Sequence, residues 1–91
     1  MSDSHIHVRA VDLVAEPTRH GAHIMKKVMV RGGQIANVTQ VALATLPDGP
    51  AEVEPHRHRT MWEVYFVLEG RATYHIGDEQ VEVGPGDFLA I

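Results

Sequence analysis

Cysteine is absent from the 91-residue sequence. Disulfide bonds, thiolate metal clusters and a cysteine nucleophile are therefore excluded. Any metal ion that this chain binds must take nitrogen and oxygen ligands, which narrows the candidates to histidine and to the carboxylates.

Positive charge and long apolar stretches are also scarce. The chain has eight Lys and Arg residues and twelve Asp and Glu residues, which gives a formal net charge of -4. It contains no long run of Lys or Arg. We therefore expect no nucleic-acid partner. The amino terminus has neither the basic start nor the apolar stretch of a secretory signal, and no apolar run has the length of a membrane span. We expect a soluble, cytoplasmic protein without membrane contact.

Helical periodicity is rare, and short stretches of apolar alternation dominate. Turn signals rich in Gly, Pro and Asp separate them at intervals of about ten residues, which predicts an antiparallel β-sandwich or barrel. The predicted strands cover about residues 24–30, 34–46, 63–68, 71–76, 80–83 and 88–91. The predicted turns lie at Arg31-Gly32-Gly33, at 46–50, near Gly70, at Gly77-Asp78 and at Gly84-Pro85-Gly86-Asp87.

A histidine pair followed by a glutamate is the strongest chemical signal. His56 and His58 are separated by one residue, so on a strand both imidazoles project from the same face and can share one ion. If the chain bends across residues 59–62, the carboxylate of Glu63 can reach that ion from the next strand. Such a site keeps coordination positions open, as a mononuclear catalytic centre requires. By itself, a His-x-His pair more often means solvated loop sequence.

The surrounding residues strengthen the metal interpretation. The stretch 55–70 reads His-x-His, four residues, Glu, six residues, Gly, and it resembles the first signature of the cupin family. The family's opening glycine usually lies six positions before the first histidine, whereas Gly49 lies seven before His56. Pro85-Gly86-Asp87 resembles the start of the second cupin motif. The resemblance implies an all-β jelly-roll barrel with His56, His58 and Glu63 as ligands of a divalent transition metal (Fe, Mn, Ni, Zn or Cu).

The domain prediction follows from the same resemblance. We predict a single cupin domain over residues 1–91, with the barrel at 21–91. Residues 1–20 are predicted to form an N-terminal arm or strand, and a short helix is a further alternative there. The sequence ends at Ile91, within the second motif. The family's fourth ligand and its last strands would follow that position, so we expect either a truncated chain or one that borrows strands from another subunit.

The other histidines are weaker ligand candidates. His75 alternates with the apolar Tyr74 and Ile76, which places it on the opposite, outward face of its strand. His5 and His7 repeat the one-residue spacing, but a solvated terminus explains them, and His20 and His23 lie in the same N-terminal third.

Strand parity also predicts which residues line the cavity. Tyr65 and Val67 share the parity of Glu63, and Gln40 is a further polar candidate. The opposite face of the same strand is apolar as well, with Val64, Phe66 and Leu68. A strand that is apolar on both faces is expected to be buried on both, and in a small barrel the second face suggests a subunit interface. Because cupins are also commonly dimers, we predict a homodimer.

Two functions stay open for such a barrel. The leading hypothesis is a metal-dependent enzyme, a dioxygenase or an isomerase, that acts on a small organic molecule. The alternative is a non-catalytic module that binds or senses a small molecule in the same cavity. The polar candidates inside the cavity are few, and no catalytic residue beyond the ligands is identified.

Overall fold

The computed structural model describes residues 4–49 and 60–91, and almost all of their regular structure is β-strand. A single 3-10 turn at Ala10–Asp12 precedes the strands. The strands are β1 (Glu16–Thr18), β2 (Gly21–Ile35), β3 (Val38–Thr45), β4 (Val64–Phe66), β5 (Ala72–Ile76), β6 (Glu79–Val83) and β7 (Phe88–Ala90). Every strand pairing within these residues is antiparallel. The predicted all-β, antiparallel fold class is confirmed.

The chain divides into two compact units, Met1–Glu54 and Pro55–Ile91. The first unit contains one three-stranded sheet in the order β1-β2-β3. The described residues of the second unit, 60–91, form two ribbons of two strands each, β4 with β7 and β5 with β6.

The core of the first unit lies on β2. Ile24, Val28 and Val30 are buried, with Ile24 only 4% exposed. Their even spacing places these β-branched side chains on one face of the strand, which favours extended backbone. At the edge of the sheet, the two terminal guanidinium nitrogens of Arg31 donate to the carboxylate of Glu16, the shorter contact being 2.7 Å. This pair ties β1 to β2.

The hairpin between β2 and β3 corrects one prediction. The chain does not turn at Arg31-Gly32-Gly33; β2 continues to Ile35, and the turn falls at Ala36 and Asn37. Residues 32–34 instead form a bulge opposite Thr39, because Arg31 pairs with Gln40 and Ile35 with Val38.

Local chemistry explains why the glycine pair makes a bulge. Gly33 takes a φ of 94°, which glycine adopts without strain. The side-chain oxygen of Gln34 accepts a hydrogen bond of 2.7 Å from the Arg31 N–H, which replaces the interrupted ladder bond. Asn37 then supplies the positive φ of 66° that the turn needs.

The β5–β6 ribbon of the second unit is the predicted hairpin. Gly77 and Asp78 form its two-residue loop, closed by the pairing of Ile76 with Glu79. A positive φ of 59° at Gly77 but not at Asp78 matches a type II′ turn, whose twist suits paired strands. The register places Tyr74 opposite Val81 and Ala72 opposite Val83, so one face of the ribbon is apolar. Val83 is 4% exposed.

Candidate functional site

The β4–β7 ribbon holds the predicted ligand Glu63. Glu63 directly precedes β4, and its N–H donates to the carbonyl of Ile91 at 2.9 Å while its own carbonyl accepts from the Ile91 N–H at 2.8 Å. This double hydrogen bond extends the ladder in which Tyr65 faces Leu89. The backbone of Glu63 is therefore fixed at one end of the ribbon.

The opposite end of the ribbon is fixed by the Pro-Gly-Asp turn. The Asp87 N–H donates to the Gly84 carbonyl at 3.0 Å, and Gly86 has a φ of 87°. Proline at the second position and a positive φ at the third are the signature of a type II turn. Val67 bridges this turn to β4, since its N–H donates to the Asp87 carbonyl and its carbonyl accepts from the Gly86 N–H.

Tyr65 follows Glu63 by two positions on the β4–β7 ribbon. The two residues are separated by one position, so their side chains project from the same face of the ribbon. The Tyr65 ring also packs against Tyr74 of β5, with ring centroids 5.1 Å apart and planes tilted by 52°. This is a favourable arrangement for aromatic pairs.

Both phenols are held in their neutral form. Burial raises the pKa of Tyr65 above its ordinary value, and the nearby Glu63 side chain raises it further. Burial and the charge of Glu63 also raise the pKa of Tyr74. At neutral pH these groups therefore donate hydrogen bonds and do not serve as bases.

The predicted ligand set is only partly described. His56 and His58 lie outside the described residues, so their ligation of an ion with Glu63 stays a prediction. Within residues 4–49 and 60–91, no three His, Asp or Glu side chains are grouped closely enough to hold a metal ion. His75 is exposed, as the strand alternation predicted. It pairs with Gln80 in the β5–β6 ribbon.

The two other cavity candidates lie in different units. Val67 is half-buried and follows β4, on the parity of Glu63. Gln40 lies on β3 of the first unit, is exposed, and accepts a hydrogen bond of 2.9 Å from the ammonium group of Lys26. Its cavity role stays a prediction.

Tyr74 is a site residue that the sequence analysis missed. Strand alternation had placed it with Ile76 on the apolar face of its strand. Nothing in the sequence indicated that this face meets Tyr65, because β4 pairs with β7 and not with the neighbouring β5. A tyrosine on an otherwise aliphatic face was the one available signal.

Comparison with known proteins gives one finding on identity. A family model described as "Cupin domain" matches residues 42–91, which is more than half of the chain. The chain belongs to the cupin family. The match includes the predicted ligands His56, His58 and Glu63 and the Pro-Gly-Asp turn. No curated protein and no solved structure matches the chain.

The second face of the β4–β7 ribbon in this cupin is apolar and open. Phe66 and Phe88 pair across the two strands, and their side chains are 63% and 64% exposed. Val64, Leu68 and Trp62 continue this surface and are also exposed. We call these five residues, Trp62, Val64, Phe66, Leu68 and Phe88, the outer apolar face. None of them carries a charge.

No helix in the described part of the chain is long and apolar enough to cross a membrane.

Proposed function

We propose that this cupin binds one divalent transition-metal ion through His56, His58 and Glu63, and that it is a metal-dependent enzyme of the oxygenase type. The observation that supports the proposal most directly is the setting of Glu63. Two backbone hydrogen bonds to Ile91 fix its position at the end of the β4–β7 ribbon, on the same face as Tyr65. A ligand residue whose backbone is already fixed loses less conformational freedom when it binds an ion.

The donor set fits such an ion. Two imidazole nitrogens and one carboxylate oxygen suit Fe, Mn, Ni, Zn and Cu, and the chain has no thiolate to select a softer ion. When bound, the ion supplies Lewis acidity and, if it is redox-active, one-electron chemistry.

The residues beside Glu63 indicate what the site can accept. Tyr65 and Tyr74 present two aromatic rings and neutral hydroxyl groups on the carboxylate side of the ribbon. Aromatic faces exclude water and stack on flat or apolar groups, while hydroxyl groups orient polar atoms. We therefore propose a small organic molecule as substrate.

A non-catalytic binding or sensing module is the second candidate function. The observation that favours it is the aromatic pair Tyr65 and Tyr74, with ring centroids 5.1 Å apart, because aromatic faces can bind a flat or apolar molecule without any chemical step. The same cavity would then hold a small molecule and release it unchanged.

Elemental analysis by plasma mass spectrometry tests the metal site. We expect close to one equivalent of a transition metal in the parent and its loss in a His56→Ala/His58→Ala variant. The matched control is His5→Ala/His7→Ala, which removes a pair of identical spacing and should leave the metal content unchanged. A parent that stays empty after reconstitution with each of the five ions would contradict the proposal.

Oxygen uptake by the loaded protein separates the two functions. An enzyme of the oxygenase type consumes oxygen in proportion to the organic compound supplied. A binding module raises its melting temperature with the same compound and consumes none.

We further propose a homodimer, built by two copies of the outer apolar face. The face is uncharged, so a second copy meets no like charge there in spite of the net charge of -4. The cytoplasmic location stays a prediction from the sequence.

A further inference from the structure

Asp48 and Gly49 lie in the exposed loop that follows β3. Both residues are exposed, and Gly49 has a φ of 85°. Neither residue forms a hydrogen bond or an ion pair with any other residue in 4–49 and 60–91. Apart from the chain neighbours of Gly49, no described atom lies within 4 Å of the place where its Cβ would stand. Exposed backbone with so few contacts changes conformation at little cost in free energy.

An aspartate in such a setting can close a ring with the peptide nitrogen that follows it. The main-chain nitrogen of Gly49 attacks Cγ of Asp48, so that an N–Cγ bond forms and the Cγ–OH bond breaks. The proton of the nitrogen and the hydroxyl group leave together as water, and the product is a succinimide ring. Because this step is a condensation within the chain, it needs neither an oxidant nor a second reactant.

Water then opens the ring in one of two ways. If the N–Cγ bond breaks, aspartate is restored. If the bond between the nitrogen and the main-chain carbonyl carbon breaks, the chain continues through Cγ and the residue becomes isoaspartate. The water lost in the first step is regained in the second, so the mass of the protein does not change.

Glycine is the residue that hinders this attack least. Every other residue places a Cβ next to the attacking nitrogen, and glycine also reaches backbone conformations that other residues resist. Asp48 is the only aspartate of the chain that precedes a glycine. The sequence and the exposed loop therefore favour the reaction at the same position.

We propose that Asp48–Gly49 is a modification site, at which aspartate converts to isoaspartate without an enzyme. The product carries an extra methylene group in the main chain just after β3, and its free carboxylate sits on the α-carbon. This inference does not depend on the proposed metal site, and the two are tested separately.

The other described aspartates are less suited to ring closure. All of them precede a residue with a large side chain, at Asp12-Leu13, Asp78-Glu79 and Asp87-Phe88. The Leu13 N–H also donates to the Ala10 carbonyl at 3.1 Å, and Oδ2 of Asp87 accepts from the Gly84 N–H at 2.8 Å. These hydrogen bonds must break before either group can react, so we expect slower isomerisation at these positions.

Prolonged incubation of the purified protein at neutral pH and body temperature is the test. Trypsin then releases residues 32–57 as one peptide, in which Asp48 is the only aspartate. An isoaspartyl carboxyl methyltransferase with labelled S-adenosylmethionine counts the isoaspartate in each peptide. We expect label to accumulate in peptide 32–57 without a change of its mass. Deamidation of Asn37, in the same peptide, would raise the mass and is thereby distinguished.

Two variants show whether the label comes from the proposed reaction. Asp48→Glu is the matched control, because it keeps a carboxylate at the exposed position but would have to close a larger and slower-forming ring. Gly49→Ala adds a Cβ beside the attacking nitrogen, so its label should fall close to the level of Asp48→Glu. Melting temperatures before incubation control for folding. Parent label no higher than that of Asp48→Glu would overturn the inference, and so would equal label in the parent and Gly49→Ala.

A third variant gives a readout by mass alone. Asp48→Asn closes the same ring with loss of ammonia, and water then opens it, so each event raises the mass of peptide 32–57. Fragmentation of the peptide assigns the change to position 48 or to Asn37. We expect the change at position 48 and faster than the parent accumulates label, because ammonia leaves an amide more readily than hydroxide leaves a carboxylate. A stable residue at position 48 would contradict the inference.

Discussion

Asp87 and Gly84 are joined by two hydrogen bonds that close the turn before β7. The Asp87 N–H donates to the Gly84 carbonyl at 3.0 Å, and Asp87 Oδ2 accepts from the Gly84 N–H at 2.8 Å. The aspartate of the Pro-Gly-Asp motif therefore has a structural role within its own turn. This turn sets where β7 begins and so helps to define its register with β4.

Replacing the Asp87 side chain should destabilise this turn. In Asp87→Ala the Gly84 N–H loses its side-chain acceptor, and we expect the free energy of unfolding to fall by about 1 kcal/mol. Urea denaturation measures the change. Asp87→Asn is the control, since its amide oxygen can still accept and should preserve much of the stability. Equal losses in both variants would show that the charge, and not the hydrogen bond, is what matters.

Two glycines of the same turn should respond differently to alanine. Gly86 has a φ of 87°, so Gly86→Ala should cost about 1 to 2 kcal/mol of stability through backbone strain. A Cβ at Gly84 would lie 2.9 Å from the guanidinium of Arg71, which is the mobile end of a flexible side chain and can move aside. Gly84→Ala should therefore be the milder change. Thermal unfolding compares them, and the reverse order would contradict this account.

The contribution of the Glu16–Arg31 pair should depend on pH. The hydrogen bond from Arg31 lowers the pKa of Glu16 below its ordinary value of 4.5 in the folded chain. A carboxyl whose pKa falls on folding stabilises the fold above its unfolded pKa, and this contribution is lost as the pH drops through the folded value.

Glu16→Gln should accordingly lower the urea midpoint slightly at neutral pH and leave it unchanged in strong acid. Because both side chains are exposed, the difference should be small and should shrink with added salt. Glu69→Gln, at an exposed position near Gly70, is the control. A difference that grows toward acid pH would have the wrong sign for this pair.

A charge on the outer apolar face should separate the proposed homodimer. In Phe66→Asp the two copies would bury an unpaired carboxylate at their contact, which costs far more than the lost ring contact alone. Analytical ultracentrifugation should then show a monomer. Thr73→Asp, on the exposed face of β5, should stay dimeric. A monomeric parent, or a dimer that tolerates Phe66→Asp, would reject this interface.

Elements defined by local turn chemistry were predicted well. The β5–β6 hairpin follows from Gly77-Asp78 between alternating strands, and the turn at residues 84–87 follows from its Gly and Pro residues. In both turns, a glycine adopts a positive φ, which other residues adopt only with strain. The same reasoning failed at Gly32-Gly33, because a positive φ serves a bulge as well as a turn. Only the pairing of β2 with β3 distinguishes the two.

By itself, the sequence determined the fold class, the cupin signature and the alternation of faces on the strands that carry Tyr65 and Tyr74. These properties depend on residue spacing and on short-range sterics, which a linear pattern records. The tertiary structure alone decided that β4 pairs with β7 across more than twenty intervening positions and that Tyr74 meets Tyr65 beside Glu63. Such contacts depend on which apolar faces are buried together, and burial depends on the whole arrangement of strands rather than on any local run of residues.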